Sequence, residues 1–364
     1  MRLLHLTAAT ARFAAARQVG LLPPGHPCAR LHGHNFEATV LAELPPPWAQ
    51  YRGAQVAALT RRLQECLHPL HLSSLNDHVE APTDLGLARW IAARLQAPGV
   101  ARIAVRSTPQ QGVQVDGHGA PSVWRSYGFQ AAHRLPRVPA GHKCGRMHGH
   151  GFEVMLAMAA APHPEHAWAE FDRLDEAWRP WGERLDLSCL NDIEGLDNPT
   201  SELLASWLWQ RLKPDLPALE RVAVFETGSC GASFDGFEYR IWKDFDLDSA
   251  VRLRRAPPGS RAGGVHGHTF RLRLHLRAPL DAVCGWTMDF GDVKEIFAPV
   301  FEALDHRPLH EIAGLEDADT GSLAAWIFAT TTWRLPALSA VELHETPGCG
   351  AVVLAQERGA PLGF

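Results

Sequence analysis

The chain has 364 residues, 46% of them hydrophobic and 21% charged, with a net charge of −5. That length suits two or three domains of an ordinary globular protein, and the charge gives no general attraction to nucleic acid or to a membrane surface. No stretch approaches the ~18 continuous apolar residues of a membrane span. The start, MRLLHLTAATARF, carries no leader pattern, and seven scattered cysteines without disulfide spacing predict a reducing, cytoplasmic setting.

Taken in chain order, the elements come three times. A first strand leads into a loop rich in Gly and Pro. LHGHNFEATV (31–40) follows and alternates as a strand does. PTDLGLARWIAARL (82–95) predicts a helix with a threonine cap and Trp90 on its apolar side, and VRST (105–108) belongs to a closing strand pair. MHGHGFEVML (147–156), PTSELLASWLWQRL (199–212) with Trp207, and VFET (224–227) repeat the order. VHGHTFRLRL (265–274), DTGSLAAWIFATTT (319–332) with Trp326, and LHET (343–346) repeat it again. The leading histidines His32, His148 and His266 are spaced by 116 (148 minus 32) and 118 (266 minus 148) residues. Landmarks in one order three times over mark an internal repeat, with units expected at 1–120, 121–243 and 244–364. Each reads as two β-hairpins with helices, an α+β plan that can close as a pseudo-threefold ring within one chain.

Histidines two apart on a strand point the same way. His148 and His150 do so in the second copy, and the preceding strand offers His133 in FQAAHRL (129–135). Three imidazoles with an open position suit zinc, though iron or nickel also accepts such donors. The first copy keeps His32 and His34 but has Arg17 at the third place, a permanent cation. The third keeps His266 and His268 but has Val251 there. Neither is expected to hold a metal.

Cys144 lies four residues before His148. A thiol near a dication is expected to have a lowered pKa and to act as a base. Cys28 stands at that offset in the first copy and Ala262 in the third. Only the third copy has adjacent Asp305 and His306, in LDHRPLH (304–310), a couple able to relay a proton. The second copy has Asp186 and Leu187 there, and the first His71 and Leu72. Glu226 and Glu345 stand where the first copy has Ser107, and a carboxylate can take two hydrogen bonds from an amino-pyrimidinone edge.

The chain resembles the 6-pyruvoyl-tetrahydropterin synthase and 6-carboxy-tetrahydropterin synthase family, which has the tunnelling fold. The resemblance rests on FQAAH (129–133), the Cys144-to-His150 string CGRMHGH, DRL (172–174), LDLSCLN (185–191), PTSELLASWL (199–208) and FET (225–227). The third copy adds MDFGDVK (288–294), LDHRPL (304–309), DTGSLAAWI (319–327) and HET (344–346). It implies three tandem domains, each two hairpins plus two helices, closing into a twelve-stranded barrel. It further implies stacking of two barrels, hence a homodimer, and sites between neighbouring domains. His133, His148 and His150 correspond to zinc ligands, Cys144 to the catalytic thiol, and Asp305 and His306 to the acid–base pair. Glu226 or Glu345, with the adjoining Thr227 and Thr346, corresponds to the pterin anchor.

No single copy has the full set. The second lacks the histidine of the pair; the third lacks the cysteine and one ligand. One complete site is therefore expected at the junction of the second and third copies, with the first copy completing the ring. The implied substrate is 7,8-dihydroneopterin triphosphate, whose phosphates Lys143, Arg134 and Arg146 could meet. Similarity to short bacterial-type domains favours cleavage to 6-carboxytetrahydropterin, acetaldehyde and triphosphate, a step toward 7-deazaguanine and queuosine. Triphosphate elimination to 6-pyruvoyl-tetrahydropterin uses the same groups. A non-catalytic pterin-binding or scaffold barrel is the third reading.

Overall fold

Each copy opens on a long antiparallel hairpin whose strands alternate between a helix-covered face and an inner face. A computed structural model describes residues 2–20, 22, 25–163 and 167–356. The first copy comprises β1 (Leu3–Arg17), β2 (His32–Ala42), α1 (Gln55–Leu67), α2 (Asp84–Arg94), β3 (Val100–Thr108) and β4 (Gln111–Asp116). The second comprises β5 (Pro121–His133), β6 (His148–Ala159), α3 (Ala167–Leu185), the short β7 (Ser188–Cys189), α4 (Ser201–Leu212), β8 (Leu219–Thr227) and β9 (Cys230–Phe234). The third comprises β10 (Tyr239–Val251), β11 (His266–Arg277), α5 (Phe290–Leu304), α6 (Thr320–Thr332), β12 (Leu338–Thr346) and β13 (Cys349–Ala355).

The strands run β4-β3-β2-β1-β13-β12-β11-β10-β9-β8-β6-β5, and β4 pairs with β5 to close a twelve-stranded antiparallel barrel. The two-residue β7 adds a parallel pairing to β5. Copies meet at β4–β5, at β9–β10, and at β1–β13, where Leu3 lies opposite Ala355 and Ala8 opposite Gly350. The expected division at 243/244 falls inside β10, whose residues Tyr239–Lys243 pair with β9.

Alternation decides which residues meet the helices. Ile103 and Val105 on β3, and Val222 and Val224 on β8, join the core with Leu59, Leu63, Leu204 and Leu208. Val341 and Leu343 on β12 do the same with Phe297 and Ile327. On α1 the buried residues are Val56, Leu59, Leu63 and Leu67, one stripe at helical spacing. Each such leucine contributes about 1.5–3 kcal/mol on burial. The inner face carries two smaller apolar clusters, one including Leu6, Leu41 and Val352 and the other Trp124, Met155 and Trp242.

Thr83 and Thr200 cap α2 and α4, accepting from Gly86 N and Leu203 N. The threonine cap expected in the third copy is corrected: Asp319 caps α6, accepting from Ser322 N, and Thr320 is the first helical residue. Either side chain can accept there, so composition alone left the register open by one residue. Among the described residues, no helix is long and apolar enough to cross a membrane.

Candidate metal centre

The first hairpins fix the ligand column. Arg17 lies opposite His32, His133 opposite His148, and Val251 opposite His266. In the second copy, His133, His148 and His150 offer ligand nitrogens within 4.8 Å of one another. His133 Nδ1 lies 3.1 Å from Pro199 O, His148 Nδ1 2.8 Å from Arg146 O, and His150 Nδ1 3.0 Å from Gly151 O. A carbonyl only accepts, so each Nδ1 carries a proton and Nε2 is the nitrogen through which each ring could bind a metal. His133 Nε2 and His150 Nε2 lie 3.2 Å apart. Two facing lone pairs repel unless a cation or proton lies between them. Burial also holds His133 below the usual imidazole range, which keeps it neutral. The donor set therefore fits a metal ion, with the backbone carbonyls orienting the rings.

In the first copy Arg17 occupies the place of His133. It is fully buried, 2.6 Å from Asp84 Oδ1 and 3.2 Å from Pro82 O, and lies 4.9 Å over the Phe36 ring. Ser107 Oγ donates to Asp84 Oδ2 at 2.8 Å. In the second copy the same two places hold Ser201 and Glu226, joined at 2.5 Å; in the third, Thr320 donates to Glu345. The first copy has thus moved the carboxylate from strand to helix, where it neutralises a built-in cation. Burial, and next Arg17, push His34 down to about 4. In the third copy Val251 is buried, leaving two histidines. Among the described residues, the cluster in the second copy is the one group of three suitable donors.

Cys144 is half-buried near the cluster, its N–H on His142 Nδ1 at 3.2 Å. Its protein surroundings by themselves do not lower its pKa. Burial, Glu226 and Asp289 push the thiol up, and only Lys143 opposes them. Depression would have to come from a bound cation. Glu226 acts electrostatically on both Cys144 and His133.

The third copy reaches this cluster through its segment before α5. Asn198 Nδ2 donates to Cys284 O at 2.7 Å, Thr200 Oγ1 to Gly285 O at 2.7 Å, and Thr287 N to Glu202 Oε1 at 2.6 Å. His142 Nε2 lies 3.3 Å from Asp289 Oδ2, while Asp289 Oδ1 caps α5. Sequence reasoning gave no role to His142, Ser201, Glu202 or Asp289. Three of them lie inside quoted motifs, but their meeting depends on chain crossings that no motif states.

Glu202 is buried and pushed up to about 7 by burial. Its proton is bound more tightly folded than unfolded, so this contribution to stability is full below pH 4.5 and is lost as pH rises to about 7. The Glu202→Gln variant, which keeps an acceptor for Thr287 N–H, is expected to flatten that slope in urea titrations at several pH values. An unchanged slope would assign it to other groups.

Asp305 Oδ2 accepts from His306 Nδ1 at 2.8 Å, and the carboxylate raises the imidazole pKa. Their further contacts stay in the third copy: His306 N donates to Asp248 O at 2.6 Å and Asp248 N to Asp305 Oδ1 at 3.0 Å. The His306 side chain is 77% exposed and lines a surface cavity with His268, Thr269 and Arg307. No hydrogen bond or ion pair among the described residues joins this couple to His133, His148, His150 or Cys144. His306 has φ 55°, and Leu72 and Leu187 occupy the same left-handed position at 57° and 55°. Such strain in non-glycine residues is held by surrounding structure, here by N–H bonds to Ala14 O and Gln130 O. Glu345 likewise stays with Thr320. Thr227 and Thr346 are exposed at their strand ends, Thr227 Oγ1 meeting Cys230 Sγ at 3.1 Å. Lys143, Arg134 and Arg146 are exposed.

A closed twelve-stranded barrel of three helix-backed repeats, with three imidazoles gathered at the end of one hairpin, defines the class of tunnelling-fold proteins. The profile of the family described as 6-pyruvoyl tetrahydropterin synthase matches residues 7–118, 122–236 and 240–356, and the chain belongs to that family. A Synechocystis 6-carboxy-5,6,7,8-tetrahydropterin synthase is 30% identical over 130 residues, 31% of this chain and 91% of that protein. A Pyrococcus furiosus dihydroneopterin monophosphate aldolase is 33% identical over 92 residues, 25% of this chain and 72% of that one. The structure of Caenorhabditis elegans 6-pyruvoyl tetrahydropterin synthase aligns with 31% of this chain and 92% of its own at 19% identity, with a TM-score of 0.29.

Proposed function

We propose that this protein is a zinc-dependent pterin lyase with one working site per chain, at the junction of units 121–243 and 244–364, unit 1–120 completing the ring. The reaction it would perform is release of triphosphate from 7,8-dihydroneopterin triphosphate to give 6-pyruvoyl-tetrahydropterin. The observation that carries the site is the convergence of three Nε2 lone pairs whose rings are held by carbonyls. A family profile matched in all three copies supports elimination better than the carbon–carbon cleavage favoured on sequence grounds. Cleavage to 6-carboxytetrahydropterin stays as the second reading because of the 30%-identical Synechocystis relative.

His133, His148 and His150 would hold the zinc, which supplies Lewis acidity toward the substrate's side-chain hydroxyls. Glu226, steadied by Ser201, would receive the amino-pyrimidinone edge. Cys144 would take or return a proton on the side chain. Asp305 keeps the proton on His306 Nδ1, so that Nε2 is the working nitrogen. His306 would be presented to the cluster by movement of its loop or by a second barrel in a homodimer.

Zinc-loaded protein incubated with 7,8-dihydroneopterin triphosphate and followed by mass spectrometry tests the reading. The 6-pyruvoyl product with free triphosphate supports it, and acetaldehyde with the 6-carboxy product selects the second. No product from folded, metal-bound protein leaves a binding or scaffold barrel. His306→Ala should abolish turnover with zinc still bound at one per chain; surviving turnover removes His306 from the site. Activity regained on mixing His306→Ala with Cys144→Ala chains would assign the couple to a partner barrel.

A further inference from the structure

The barrel lumen carries two guanidinium groups that no side-chain hydrogen bond or ion pair engages among the described residues. Arg102 lies opposite Leu41, Arg221 opposite Ala157, and Ala340 opposite His275, so these are equivalent places in the three copies. Their neighbours Ile103, Val222 and Val341 pack under the helices, so by alternation Arg102, Arg221 and Ala340 face inward. Asp116 lies opposite Arg102 and Asp235 acts on Arg221, each carboxylate accepting loop N–H groups at Oδ1; three further carboxylates are engaged by cationic or imidazole side chains. Glu342 meets His275 Nε2 at 3.1 Å and His344 Nε2 at 3.4 Å. Asp244 takes both arms of Arg273, at 2.6 and 2.9 Å. Glu238 is shared by Arg277 and Arg240. Neither Arg102 nor Arg221 makes a side-chain hydrogen bond or ion pair among the described residues.

Their surroundings are unfavourable to positive charge. Burial pushes Arg102 down to about 10, Arg221 adding to the effect and Glu342 opposing it. Burial and then Arg240 lower Arg221, with Asp235 and Glu220 opposing. Both remain charged at neutral pH. Two half-desolvated cations lining one lumen, with Arg221 near enough to act on Arg102, cost free energy unless an anion joins them.

We propose that the lumen binds an oxyanion of the phosphate type between Arg102 and Arg221. Each guanidinium presents a planar fork that fits a pair of phosphate oxygens, and a tetrahedral anion has oxygens for both forks. Ala340, buried among Leu6, Leu41 and Val352, leaves the third equivalent place uncharged. The site is separate from the histidine cluster: Arg221 stands five residues before Glu226 on β8, ~16 Å along an extended strand. It does not depend on the pterin reading.

Isothermal titration of the full chain with inorganic phosphate and with tripolyphosphate, at constant ionic strength set by chloride, tests it. Wild type should bind one equivalent saturably, and the Arg102→Gln, Arg221→Gln double variant should bind at least tenfold more weakly. Without phosphate the double variant should melt no lower than wild type, because it removes uncompensated like charges; the single Arg221→Gln variant should show the same signs if the double variant folds poorly. Arg61→Gln, on the exposed face of α1, should bind phosphate as wild type does. Absence of saturable binding by wild type, or equal binding by the double variant, would overturn the proposal.

Discussion

Replacing Asp84 by alanine is expected to destabilise the protein by about 3–5 kcal/mol, the usual consequence of leaving one member of a buried ion pair alone. The side chains of Arg17 and Asp84 are 0% and 1% exposed and lie 2.6 Å apart. Removing the carboxylate strands a permanent cation among Phe36, His32 and Pro82, and it cannot shed its proton. Guanidinium chloride unfolding would measure the loss. The Arg17→Met, Asp84→Ala double variant should recover most of it, because an apolar side chain of similar length fills the space without charge. A loss below ~1 kcal/mol for Asp84→Ala would match an exposed pair instead and contradict the dry site described above.

The second large effect is expected from His133→Ala. Zinc measured by atomic absorption after purification should fall from one per chain to near zero, and pterin turnover should fall with it. The loss should exceed the ~10–100-fold that follows removal of an outer partner of a metal ligand, because a donor itself is gone. His32→Ala in the first copy should leave bound zinc unchanged, since the place equivalent to His133 is filled there by Arg17. Zinc retained at one per chain by His133→Ala would remove the cluster from consideration.

The repeat was legible because its landmarks are chemical and local: an HGH strand, a capped helix, an acidic strand end. Strand alternation then placed His148 and His150 on one side, and the pairing of His133 with His148 follows from hairpin register. Other features depend on tertiary crossings. Asp84 and Ser107 look like unrelated substitutions until the start of α2 meets the end of β3 and their hydrogen bond makes them one exchange. The approach of Asp289 to His142 requires knowing which copy's pre-helix segment covers which hairpin. The expectation for the Cys144 thiol rests on a bound dication; Glu226 and Asp289, whose charges act the other way, come near it only through tertiary crossings. Adjacency in the sequence brings Asp305 and His306 together, but which groups surround the couple, Asp248 and His268 of its own copy, depends on the fold.

The pairing of β1 with β13 makes closure of the barrel depend on strands far apart in the chain. Residues 3–8 are made long before residues 350–355, their partners in the closed ring. Until those strands meet, a nascent chain with the other eleven strands already assembled presents β1 and β12 as open sheet edges, the feature most prone to pairing with another molecule. Closing over almost the full chain length is also slow compared with local hairpin formation. The demand for chaperone protection therefore concentrates in the interval before β13 leaves the ribosome, and slowing of translation just upstream of Cys349 would lengthen the exposure of both edges.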